Sequence, residues 1–98
     1  MRLHVEVTQD DIDKGVRHTP NACMVAYAFG RATEGAWSTC LVAPRWDYAK
    51  DQYEWVIETE DFVAPLTNEV GRKIAKWDAK LPVEPFAFDL DLPIEEDR

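Results

Sequence analysis

In Tyr53-Glu54-Trp55-Val56-Ile57-Glu58 the side chains alternate, with Tyr53, Trp55 and Ile57 on one face and Glu54, Val56 and Glu58 on the other. A period of two is the mark of a half-buried strand. The same alternation occurs upstream, where Trp37, Thr39 and Leu41 interleave with Ser38, Cys40 and Val42, and Pro44 is expected to end that strand. Residues 44–52 then read as a polar loop carrying two aromatic residues, Trp46 and Tyr48. The simplest arrangement pairs 37–43 with 53–59 as an antiparallel hairpin with a long tip.

Toward the N-terminus, Leu3, Val5 and Val7 alternate with His4 and Glu6 in a further strand. Thr8 and Asp11 form a variant capping box that opens a short helix, and Gly15 is expected to stop it. Thr19-Pro20 reads as the N-cap and first residue of a second helix running to Ala32, with Val25, Ala28, Phe29 and Ala32 on its apolar face. Toward the C-terminus, Leu66, Val70, Ile74, Trp77 and Leu81 recur at helical spacing after Pro65. Lys73, Lys76 and Lys80 fall on the opposite side, and Pro82 ends the helix. A last strand places Phe86, Phe88, Leu90 and Leu92 inward and Asp89 and Asp91 outward. The expectation is a single small α+β domain over residues 1–94, in the order β-α-α-β-β-α-β. It has a mixed, mostly antiparallel sheet with helices on one face and a frayed acidic tail at 95–98.

The chain has 98 residues, enough for one core, and 46% of them are hydrophobic, so that core can form. The longest apolar run, residues 22–29, is too short to cross a bilayer, and the Met1-Arg2-Leu3-His4 opening lacks the apolar core of a signal peptide. A cytoplasmic protein is expected, with Cys23 and Cys40 reduced. The net charge of -8 argues against a basic nucleic-acid clamp. It is also unevenly placed: residues 1–46 carry five acids and five bases, and residues 47–98 carry fourteen acids and six bases. Within the acidic half lies a basic island, Arg72, Lys73, Lys76 and Lys80.

Few residues suggest chemistry. His4, His18, Cys23 and Cys40 are the candidates for zinc or for a thiol enzyme, yet no Cys-x-x-Cys pair, nucleophile elbow or phosphate-cradling glycine loop is present. No metal, cofactor or catalytic group is expected. Interaction residues stand out more. Trp46 and Tyr48, flanked by charges, have the character of interface anchors. Glu54 with Glu58 and Asp89 with Asp91 form outward acidic rows, and carboxylates two residues apart on a strand, as Asp89 and Asp91 are, stand about 6.6 Å apart at ordinary strand rise. That spacing is close to two phosphate steps along a nucleic-acid strand, roughly 7 Å.

Val7-Thr8-Gln9-Asp10-Asp11-Ile12-Asp13-Lys14-Gly15 and Val83-Glu84-Pro85-Phe86-Ala87-Phe88-Asp89-Leu90, with Cys23-Met24-Val25-Ala26-Tyr27-Ala28 between them, carry a resemblance. The chain resembles a group of short uncharacterised proteins of actinobacteria and their phages. They share a V-T-x-x-D/H-I-x-x-G opening, a C-x-x-C-P-x-A-x-A-like helix start and a V-E-P-F-x-F-x-L ending. Pro20 stands where the group has the first cysteine of the pair and Met24 where it has the proline, so thiol-pair chemistry is not carried over. The resemblance implies a phage or mobile-element context, in which small acidic proteins bind and block host machinery. The leading expectation is therefore a non-enzymatic protein that binds a basic host protein through Trp46, Tyr48, Glu54, Glu58, Asp89 and Asp91; counter-defence, including anti-CRISPR action, is one form of it. The alternative is a small nucleic-acid-binding regulator using Arg72, Lys73, Lys76 and Lys80. An unpaired edge at 86–92 would also allow a homodimer.

Overall fold

The computed structural model of the protein describes residues 1–93. The expected frayed tail at 95–98 lies outside them. The elements are β1 (Arg2–Val7), α1 (Gln9–Lys14), α2 (Met24–Ala32), β2 (Cys40–Asp47), β3 (Gln52–Thr59), β4 (Val63–Pro65), α3 (Asn68–Asp78) and β5 (Phe86–Asp91). This is the α+β domain and the element order read from the sequence, with the short β4 added. The strands divide between two antiparallel sheets, β1-β5 and β2-β3-β4.

In the first sheet Val5 lies opposite Phe88 and Val7 opposite Phe86, which puts their apolar side chains on one face. In the second, Val42 lies opposite Ile57. Helix α2 packs against β1 and β2, and α3 against β3, so one core joins both sheets. Met24, Val25, Phe29, Ile57, Ile74, Trp77 and Leu90 are its buried centre. Gly71 is required where α3 crosses β3. A Cβ there would stand 2.7 Å from Cδ1 of Trp55, a separation that no real side chain tolerates.

The start of the chain is fixed electrostatically. Thr8 caps α1, and its backbone N–H and hydroxyl donate to Asp11 in a full capping box. Asp11 is buried and takes two hydrogen bonds from the Arg31 guanidinium, each 2.7 Å. Burial would raise the Asp11 carboxyl, but Arg31 and Thr8 outweigh it and hold the group below its ordinary value.

Several boundaries differ from those the sequence suggests. Helix α2 begins at Met24 with Cys23 as N-cap, and not at Thr19-Pro20. Residues 16–22 form turns instead: Ala22 N–H donates to the Thr19 carbonyl, and the Thr19 hydroxyl turns back to Arg17. Strand β2 starts at Cys40 rather than Trp37 and runs through Pro44. The reason lies in the sheet order, which makes β2 an edge. The Val42 N–H points away from β3, to the Pro20 carbonyl, and the nitrogen of Pro44 two residues on faces the same way. The N–H that proline lacks would have met no strand. Trp37 packs in a triangle with the rings of Phe29 and Phe62, at 5.9 and 5.0 Å, and its indole N–H donates to Asp61. Helix α3 ends at Asp78, before Leu81, which is exposed. There Lys80 adopts φ 65, and the N–H groups of Lys80 and Leu81 return to the carbonyls of Trp77 and Lys76. This Schellman closure turns the chain before the helical stripe reaches Leu81.

Candidate functional site: the hairpin tip

The β2–β3 hairpin is longer and tighter than the sequence suggests. Trp46 belongs to β2 and not to a loop: it lies opposite Tyr53, and Asp47 opposite Gln52. Only residues 48–51 turn. The Asp47 carboxylate accepts the N–H groups of Ala49 and Lys50, and Asp51 takes a left-handed φ of 54, two devices that suit so short a connection.

This register decides where the aromatic side chains go. Residues 42, 44 and 46 on β2 share the face of 57, 55 and 53 on β3. At the root, Val42 and Ile57 are buried. One step out, Pro44 faces a half-buried Trp55 that leans on Gly71. Beyond the helices, Trp46 is 37% exposed, Tyr53 68% and Tyr48 89%. The core-facing side of the hairpin therefore continues past its cover. The uncovered rings pack on each other edge to face, Trp46 to Tyr53 at 5.0 Å and Trp46 to Tyr48 at 6.3 Å. Tyr53, assigned to the strand's inward face by alternation, is the member of this cluster that sequence reasoning missed. A four-residue tip would have set it opposite Trp46.

The acidic residues do not form one row. Glu54 and Glu58 lie on β3 in the second sheet and Asp89 and Asp91 on β5 in the first. Each has a basic neighbour. Glu58 pairs with Arg45, and Glu54 with Lys50 at 3.3 Å. Arg2 stands 3.9 Å from Asp89 and 3.8 Å from Asp91, and the Nδ1–H of His4 donates to the Asp89 carboxylate at 2.9 Å. Other acids of the second half are local fasteners. The Glu60 carboxylate takes the Ser38 hydroxyl and the N–H groups of Ser38 and Thr39, bonds that lower its pKa to about 2. It ties the segment before β2 to the turn after β3.

On the basic island, Arg72 and Lys76 are exposed on α3. Lys73 is half-buried, with its ammonium 5.2 Å from the centre of the Phe86 ring, so it does not stand on the open side with the others. Lys80 lies in the Schellman turn. Among the described residues, no carboxylate lies within 4.0 Å of these four.

Cys23 is buried and Cys40 half-buried, and both are free thiols. Burial raises the Cys23 thiol, although the N–H groups of Ala26 and Val25 act the other way. Burial and the neighbouring Cys23 push Cys40 to about 12. Thiols in such surroundings are poor nucleophiles at neutral pH. Among the described residues, no three His, Cys, Asp or Glu side chains converge as metal ligands, and no helix is long and apolar enough to cross a membrane. Comparison with protein-family models, curated proteins and solved structures found no match.

Proposed function

We propose that the protein is a non-enzymatic interaction module that engages a protein partner through Trp46, Tyr48 and Tyr53. The observation that carries this reading is the aromatic face of the hairpin running out beyond its helices. Three rings held together by mutual contacts, on a strand pair fixed by a four-residue turn, offer apolar area with little ordering left to do on binding. Arg45, Asp47, Lys50 and Glu54 give this patch a charged rim, as at interfaces whose centre is apolar. The net charge of -8 steers encounter toward a basic partner, with Glu54, Glu58, Asp89 and Asp91 adding to the field as exposed or half-exposed groups, not as a single docking row. The phage or mobile-element setting, and counter-defence such as anti-CRISPR action, rest on the sequence resemblance.

The test places a photo-crosslinking amino acid at position 48 and irradiates the protein in bacterial lysate at low salt. A discrete adduct that disappears with Trp46→Ala/Tyr53→Ala and persists with Asp89→Asn supports the tip as the interface. No adduct, or one indifferent to the tip substitutions, defeats the reading.

A second reading rests on Arg72 and Lys76, exposed cations without a carboxylate partner among the described residues. Direct binding of RNA or DNA would then weaken with rising salt and with Arg72→Glu/Lys76→Glu in a filter-binding assay.

A further inference from the structure

A cavity of about 360 Å³ opens between the turns preceding α2, the inner face of the hairpin and α3. That volume lies at the lower end of small-ligand sites, roughly 300–1,000 Å³. Pro20, Val42, Pro44, Trp55 and Ile74 supply apolar walls. Asp78 is the one carboxylate of the lining. Its Oδ1 accepts the His18 N–H at 3.2 Å, while Oδ2 has no hydrogen-bond partner among the described residues. Asp78 is also the last residue of α3, whose C-terminal end carries partial negative charge. Lys76 and Lys80, two residues to either side of Asp78, make no ion pair with it within 4.0 Å, and Arg17, next to His18 of the lining, is committed elsewhere: its Nε donates to the Trp77 carbonyl at 2.6 Å and its guanidinium lies over the Trp77 ring. His18 and Cys23 are the remaining titratable groups of the lining.

Apolar walls closed at one side by a half-used carboxylate at a helix C-terminus define a ligand class. We propose that this cavity binds a small apolar amine, its hydrocarbon or ring against Trp55 and Ile74 and its ammonium on Oδ2 of Asp78. A neutral ligand would leave that oxygen to water, and an anion would be repelled by it. The cavity shares Pro44 and Trp55 with the hairpin, but its lining includes none of the tip rings Trp46, Tyr48 and Tyr53.

Titration of the full chain with 2-phenylethylamine, followed by amide and indole N–H chemical shifts, tests this. Saturable shifts are expected at Trp55, Ile74 and Asp78, with a dissociation constant on the order of 1 mM, reasonable for about nine non-hydrogen atoms. 2-Phenylethanol should bind roughly tenfold more weakly and phenylacetate not measurably, as expected if the ammonium makes one ionic contact. Asp78→Asn keeps an oxygen for the His18 N–H and should lower amine affinity to that of the alcohol, with the rest of the spectrum unchanged. The proposal falls if the alcohol binds as well as the amine, or if Asp78→Asn binds like the unsubstituted protein. It falls equally if the shifts gather at Trp46 and Tyr53, or if none saturates by about 10 mM.

Discussion

On β1 and β5 the apolar side chains of Val5, Val7 and Leu90 are buried along the strands, whereas on β2 and β3 one face passes from Ile57 at 0% exposure to Tyr53 at 68%. Both sheets obey the same alternation, so the pattern along a strand does not distinguish them. Reach does. Strands β1 and β5 are six residues each, with β1 against α2, while β2 and β3 are eight each and extend beyond α3. The surplus length carries aromatic residues where ordinary surface design would place polar ones. The polar faces do not separate them: that of β1–β5 is laced by Arg2, His4, Glu6, Asp89 and Asp91, and that of β2–β3 carries the Arg45–Glu58 and Lys50–Glu54 pairs. One sheet is finished internally and the other is open at its end.

If that contrast is correct, stability and binding separate along a single strand. Ile57→Ala should cost about 3–4 kcal/mol in urea unfolding, because it empties a fully buried site. Tyr53→Ala, four residues away, should cost less than about 1 kcal/mol and yet abolish the crosslink from position 48. Equal costs at the two positions would mean that the tip is part of the core after all. Next in size is Arg31→Met. It leaves the buried Asp11 with only its capping bonds, and about 2–3 kcal/mol should be lost at neutral pH; the discount from a fully buried pair reflects an Arg31 side chain that is 48% exposed. Because Asp11 is lowered in the folded protein, its contribution is complete above the unfolded pKa near 3.8 and disappears as pH falls through the folded value. The difference between Arg31→Met and the unsubstituted protein should therefore shrink in acid. Gly71→Ala sharpens the comparison from the α3 side. Helix propensity alone would favour alanine by about 1 kcal/mol, but the new methyl group meets the rigid Trp55 ring, and a net loss of about 1–2 kcal/mol is expected.

The elements that could be read from the chain were those whose determinants are local. Thr8 and Asp11 specify α1 within four residues, and the Leu66, Val70, Ile74 and Trp77 stripe specifies α3. Thr19-Pro20 carries the same local signature of a helix start, but the Pro20 carbonyl is recruited by Val42 on β2, a partner twenty-two residues distant. Pro44 likewise ends a strand only if its nitrogen faces a neighbour, and edge position is a property of the whole sheet. The same logic governs the site. Trp46 and Tyr48 stood out because charged neighbours are odd company for rings, whereas Tyr53 joined them only through the register. The acidic half of the sequence suggested one electronegative surface, but sheet membership splits it, and ion pairs with Arg2, Arg45 and Lys50, drawn largely from the charge-balanced half, offset it.

The smallest expected effect tests the claim that the β1–β5 sheet is closed upon itself. His4 is raised above its ordinary 6.5 chiefly by its hydrogen bond to Asp89, which outweighs the cost of desolvation, with smaller help from the charges of Asp89 and Glu6. A raised folded pKa means that protonation favours the fold: the contribution is complete below 6.5 and is lost as pH rises through the folded value. Asp89, lowered mainly by the same bond, contributes above its unfolded value of 3.8 and loses that contribution as pH falls through its folded value. Between those limits the pair reinforces the sheet, so the urea midpoint should decline modestly on going from about pH 6 to about pH 8. His4→Gln should flatten the decline, since glutamine can still donate to Asp89 but does not titrate. High salt should also flatten it, because the pair is solvent-exposed and screened. A decline that survives His4→Gln would show that the His4–Asp89 pair is not its source. The outer face of β1–β5 would then contribute nothing to the pH dependence of the fold, and the sheet would be held by its buried side alone.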